Sequence, residues 1–222
     1  MLRFDPMKPY ENNNFYRNKH IHELNVHELA YIHLDTLHGS ATLKDVMLFS
    51  SLNGLKENLS ASYNNIRTGQ YTPLLTSFAI LDQLGNIYSN LSKVQPKTSN
   101  GIKMCLKNFS KLSNDDINSV VMLRNGLYHD GSLVAERKYP NQPFVIYRTT
   151  TITNMLITHP KTAWDGVYSD SLEYCISKIN IDILKDVVIE VCHECFDLLK
   201  NGKLTIKITN PAEFYYKYLF AL

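Results

Sequence analysis

The sequence predicts a mainly helical chain, an antiparallel bundle carrying a small two-stranded β element, and three observations lead there. Between Thr42 and Leu199, apolar residues recur at intervals of three and four, the period of a helix with one buried face. β-Branched and aromatic residues concentrate in two short segments, near 144–153 and 204–209. The chain has 222 residues, 44% hydrophobic and 20% charged, enough for one sizeable core and too few for two full domains.

The first nineteen residues carry Pro6, Pro9 and the run Asn12-Asn13-Asn14. They offer little to bury and read as a loosely structured N-terminal arm. A first long helix is expected from Thr42 to Ile66, with Leu43, Val46, Met47, Ser50, Leu55 and Leu59 on one face despite Gly54, and Gly69 closing it. A second, from Thr72 to Leu91, enters through Pro73, whose missing N–H is harmless in a first turn. It turns Leu74, Leu75, Phe78, Leu81, Leu84, Ile87 and Leu91 inward, so the two helices should pack as an antiparallel hairpin.

Pro96 ends that pair, and the stretch Gly101 to Leu112 buries Ile102, Cys105, Leu106 and Phe109 as a third helix. Ser113 stands three residues before Asp116, a capping box with Asp in place of Glu, so a fourth helix begins at Asn114, runs to Tyr128 and stops at Gly131. A fifth is expected from Ser171 to Leu199, with Ile176, Ile179, Ile183, Val187, Val191 and Cys195 buried. Phe144 to Thr153 reads as a strand. Leu204, Ile206 and Ile208 alternate with polar residues as a second, and the two are expected to pair on one side of the bundle. Pro211 opens a short helix rich in Tyr and Phe, an apolar lid or an oligomer contact. No period of twenty to fifty residues repeats, which sets solenoids and propellers aside.

Twenty-three Lys and Arg against twenty-one Asp and Glu leave a net charge of +2, so any nucleic-acid site must come from local clustering. The opening residues lack the apolar core of a signal peptide, no stretch matches a membrane span, and four Cys are too few for a disulfide scaffold. A cytoplasmic protein with no membrane partner is expected. No GxGxxG, P-loop or GxSxG pattern occurs. His22-Glu23 is followed by His27 one residue too late for zincin spacing, and Cys192-His193-Glu194-Cys195 lacks a second pair of ligands. These read as satisfied or exposed histidines and as core cysteines, so no metal and no cofactor are expected.

Most functional information lies in Leu123-Arg124-Asn125-Gly126-Leu127-Tyr128-His129-Asp130-Gly131. An Arg, a polar residue beside it and a His five positions on, all at the end of a helix, resemble the defining motif of the HEPN superfamily. The preceding helix, Tyr71-Thr72-Pro73 through Phe78-Ala79-Ile80-Leu81-Asp82-Gln83-Leu84-Gly85, is similar to the first half of that fold. The resemblance covers roughly Leu43 to Ser132 and, more loosely, the final long helix. It implies a single HEPN-like domain over 1–222. Residues 42–132 would be the motif-bearing core, 133–170 an insertion with a strand, and 171–222 a long helix, strand and short terminal helix.

The resemblance implies a metal-independent ribonuclease of toxin or phage-defence type, with a cognate antitoxin as partner. It equally admits a relative without activity that dimerises and binds a nucleotide, an RNA or a protein. The residues suit the first reading. His129 can exchange protons near neutral pH, and Arg124 offers a planar fork matched to phosphate oxygens where a phosphorane forms. Asn125 would orient His129 or the phosphate. Five helical steps leave Arg124 and His129 about 140° apart, whereas Asn125 and His129 share a face. A homodimer that sets Arg124 of one copy beside His129 of the other resolves this, as the resemblance also implies. The bland alternative pairs Arg124 with Asp130 and leaves His129 as a helix-end cation.

From Lys93 to Lys111 there are five Lys and no acidic residue. Lys103, Lys107 and Lys111 fall four apart and would track an RNA backbone, or else form a solvated helix face. Gly126 inside the motif helix would let a partner helix or a phosphate come close.

Overall fold

The structure, a computed structural model, describes residues 14–35, 37–63, 69–136 and 143–222. Most of the N-terminal arm lies outside the described residues. Its last part is not loose: α1 (Asn14–Arg17) buries Tyr16. After a 3₁₀ turn at Ile21–Glu23, α2 (Val26–Leu34) starts at Asn25, whose Oδ1 accepts from the amides of His27 and Glu28. Glu28 returns the bond by accepting from the Asn25 amide at 2.8 Å, a capping box built from Asn and Glu.

The helix expected from Thr42 is corrected to a hairpin and a shorter helix. β1 (Ser40–Thr42) pairs antiparallel with β2 (Met47–Ser50), and α3 (Ser51–Ser62) follows. Met47 is exposed and Leu48 fully buried, which is a strand's alternation. Ser50 then caps α3, accepting from the Asn53 amide, so the helix cannot begin earlier. Residues 64–66 of the expected helix lie outside the described residues.

α4 (Thr72–Ile87) is the central element and packs against α3, as expected. It ends four residues early, because β3 (Tyr88–Asn90) continues the chain as a buried strand. α5 (Gly101–Phe109) crosses α4 at Gly85 and Gly101, where a Cβ on Gly85 would collide with the Gly101 carbonyl. α6 (Asn114–Asp130) begins at Ser113, whose hydroxyl accepts from the Asp116 amide, and ends at Gly131 in the left-handed region, φ +63°.

Beyond α6 the chain enters a mixed sheet. It contains β4 (Val134–Ala135), β5 (Val145–Thr150), β6 (Ile157–Thr158) and β7 (Ile176–Asn180) in the order β4-β5-β7-β6, with β5 and β7 parallel. α7 (Ile181–Lys200), β8 (Leu204–Ile206), α8 (Pro211–Tyr218) and β9 (Leu219–Ala221) complete the chain. The fifth helix thus begins at Ile181, ten residues after the expected start at Ser171. Ile176 and Ile179 mimic a helical interval but stand on β7, and Asn180 caps α7 by accepting from the amides of Asp182 and Ile183.

The two expected strands form but do not pair. β8 pairs with β3, placing Ser89 opposite Thr205, whereas β5 lies in the mixed sheet. β9 adds to the β1–β2 hairpin. Helices make up 51% of the described residues, so the fold has mixed α/β character, with three small sheets instead of one two-stranded element. A continuous apolar core joins α2 to α7 around α4. Among the described residues no helix is long and apolar enough to cross a membrane.

Candidate functional site

α6 is a good host for a polar motif. Asp115 and Asp116 in its first turn and His129 in its last complement the helix dipole. Ile117, Val120, Leu123 and Leu127 anchor one side in the core. At about 100° per residue, Asn114, Asn118, Asn125 and His129 fall within a sector of about 60° on the other side. Met122 lies at its margin.

Arg124 points away from that sector toward α4. Its Nη2 donates to Asp82 Oδ2 at 2.8 Å, its Nη1 to Asn125 Oδ1 at 3.3 Å, and its guanidinium carbon lies 4.8 Å from the centre of the Tyr128 ring. Both Arg124 and Asp82 are about one-fifth exposed. The buried Nε of Arg124 has no hydrogen-bond partner. Tyr128 donates its hydroxyl to the carbonyl of Leu75 at 3.0 Å, and partial burial raises its pKa, with Asp82 adding to the rise and Arg124 opposing it. The guanidinium is therefore clamped from three sides. The alternative partner, Asp130, is replaced by Asp82.

Asp82 Oδ1 also accepts from the Ile102 amide at 3.1 Å, in the first turn of α5. One carboxylate thus ties α4 to both α5 and α6. Neither Asp82 nor Tyr128 is one of the fixed positions of the Arg–polar–His motif. A signal for Asp82 existed, since it is the one charged residue in α4.

His129 is exposed. Among the described residues no hydrogen bond joins it to Arg124, and the two side chains leave the helix in different directions. Within one copy the structure brings together Arg124 and Asn125, and leaves His129 apart. Asn125 accepts from Arg124 through its carbonyl, which keeps its NH₂ group for donation.

The lysines divide. Lys103 donates to Asn118 Oδ1 at 3.2 Å and Lys107 donates to Asn114 Oδ1, so both lean from α5 onto the polar sector of α6. Lys111 is exposed and stands beyond the end of α5. The expected row of three is therefore a pair at the near end of the motif face and a third lysine on the following loop.

Comparison with family models, curated proteins and solved structures finds no match for this chain.

The glycine at 126 does not open a door for a phosphate or partner helix. A Cβ there would meet the carbonyl oxygens of Ser132 and Val134, each at 2.9 Å, so the close approach is made by the chain's own return into β4. His33, one of the N-terminal histidines, is fully buried between Tyr88 and Gln83. Burial lowers its pKa to about 4. Cys192 and Cys195 are buried, and burial raises both thiols.

Proposed function

We propose that this chain is a metal-independent endoribonuclease of the HEPN type, a toxin or phage-defence effector acting in the cytoplasm, whose site is completed in a homodimer. The observation that carries the reading is the split of the motif. His129 is exposed on a polar face shared with Asn125 and the lysine-bonded Asn118 and Asn114, while Arg124 is held in a fixed orientation on the adjoining face. A second copy of α6 laid against the first across a two-fold axis brings each Arg124 toward the other copy's His129.

In that arrangement His129 takes the proton of the RNA 2′-hydroxyl, the resulting alkoxide attacks phosphorus as the bond to the 5′-oxygen breaks, and the 5′-oxygen takes up a proton from the His129 imidazolium so formed or from water. Arg124 and the Asn125 NH₂ donate to the oxygens of the phosphorane. The products carry 2′,3′-cyclic phosphate and 5′-hydroxyl ends, and a cognate antitoxin protein would cover the same face.

The ion pair of Arg124 with Asp82 favours a second reading, in which Arg124 is structural and the domain dimerises and binds RNA without cutting it. A panel of RNAs incubated with the full chain in EDTA separates the two. Cleavage with cyclic-phosphate ends, lost in His129→Ala, supports the nuclease. RNA binding without cleavage, or cleavage untouched by His129→Ala, assigns the binding module.

A further inference from the structure

His33 lies in the last turn of α2, fully buried, where three other elements meet. Its Nε2–H donates to Gln83 Oε1 of α4 at 3.1 Å, and its Nδ1 accepts from the Tyr88 hydroxyl of β3 at 2.9 Å. Gln83 donates in turn to the Ser51 hydroxyl at 3.0 Å, which fixes the direction of its amide and with it the neutral tautomer of the ring. The third wall is α8. Phe214 and Tyr218 set their rings edge-on to the imidazole, with centroids 5.7 and 5.9 Å away.

A proton added at Nδ1 would turn the bond to Tyr88 into a meeting of two donors, and the charge would find no carboxylate. Asp35, just past the end of α2, accepts from the amides of Leu37 and His38 and pairs with the His38 ring. Glu28 of α2 pairs with Lys19, Asp82 of α4 with Arg124, and Glu213 of α8 with Lys217. Burial raises Tyr88, Tyr218 and, on α7, the Cys195 thiol, so all three stay neutral in acid.

The walls differ in how firmly they are held. Gln83 and Tyr88 belong to the core around α4, and Tyr88 is paired with Ile206 of β8. α8 buries one residue, Phe214, and continues into β9, whose three residues pair with β2 at the edge of a small sheet. A cleft of about 530 Å³ runs along the same seam, with Ile21, His22 and Leu29 on one side and Pro211, Ala212 and Tyr215 on the other. A helix seated by one side chain beside a gap of that size is the wall that gives way first. We propose that α8 and β9 form an acid-released flap: protonation of His33 unseats Pro211–Ala221 from α2 and β2 while the core around α4 stays folded.

The direction follows from linkage. Burial lowers the His33 pKa to about 4, and an opened flap returns it to the ordinary 6.5, so closure is at full strength above pH 6.5 and is lost as pH falls toward 4. On those two values the ratio of open to closed flap rises about 30-fold between pH 7.5 and pH 5.0. The device is independent of the RNA chemistry at Arg124 and His129.

Hydrogen exchange of the full chain at pH 7.5 and pH 5.0, expressed as protection factors, tests it. Amides of residues 214–221 should lose about 30-fold in protection, while those of α4 stay about a hundredfold better protected at pH 5.0. Unchanged protection in α8 and β9 overturns the proposal, and so does a fall of α4 and the flap to one common level, which is global unfolding. His33→Gln, uncharged at both pH values, should remove the response of the flap, and a response that persists in this variant assigns it to another group. Should His33→Gln fail to fold, NMR titration of the wild-type ring decides. The ring should stay neutral in the closed form down to about pH 4, and a ring that titrates near 6.5 while the flap amides remain protected overturns the proposal.

Discussion

Oδ2 of Asp82 lies 2.8 Å from Nη2 of Arg124, while Oδ1 of the same carboxylate takes the amide of Ile102 at 3.1 Å. The charge that a phosphorane would seek is already balanced by an acid on another helix. The guanidinium is consequently a fixed object, and a phosphate approaching it meets a preset geometry instead of a mobile side chain.

Asp82→Ala and Arg124→Ala should each destabilise the fold by about 1–3 kcal/mol, between the values for exposed and fully buried pairs. A double-mutant cycle by urea unfolding should give a coupling of about 1 kcal/mol or more. Coupling indistinguishable from zero would mean that the two side chains do not support each other. Arg124→Lys should retain much of the stability but little cleavage, because an ammonium cannot present the fork.

Gly126→Ala should destabilise by about 1–3 kcal/mol although alanine is the better helix former. The added methyl meets two backbone carbonyls at 2.9 Å, and neither can rotate away. Chemical denaturation checks this, and a stabilised variant would contradict the close approach of the β4 segment.

His33 sets an acid limit on stability. Its folded pKa is about 4 against an ordinary value of 6.5, so the unfolded chain binds the proton more readily. Stability from this group is whole above pH 6.5 and is lost as pH falls toward 4, by about 3 kcal/mol in total at roughly 1.4 kcal/mol per pH unit. Unfolding measured at pH 7 and pH 4.5 should show the loss, and His33→Gln should reduce the slope. An unchanged slope would assign the acid sensitivity elsewhere.

Lys103→Ala and Lys107→Ala should each weaken RNA binding and lower the dependence of log K on log salt by about 0.7, the increment for one phosphate contact on a single strand. Binding measured across a salt series decides it. Parallel lines for wild type and variants would remove these lysines from the RNA path.

What could be read in advance was local chemistry. Ser113, Asp116 and Gly131 specify the ends of α6 through contacts within a few residues, and the expected and observed bounds nearly coincide. Pro73 and Pro211 place α4 and α8 in the same way. What could not be read depended on partners far along the chain. Tyr88–Asn90 extends because β8 supplies its ladder, and Ile176–Asn180 because β5 does. The partner of Arg124 was hidden for the same reason, since Asp82 meets it only after α4 and α6 have packed.

The crossing of Gly85 and Gly101 gives this molecule a fulcrum. Asp82 sits one turn before that point, and Lys103 and Lys107 project from α5 just beyond it. At Gly85 backbone rests directly on the backbone of α5, and around Gly101 the Asp82 carboxylate and the Asn86 amide close in. Any widening of the gap would swing the lysine rail off α6 and loosen the carboxylate grip on Arg124 in one movement, so the whole polar face inherits its tolerance from two residues that have no side chains.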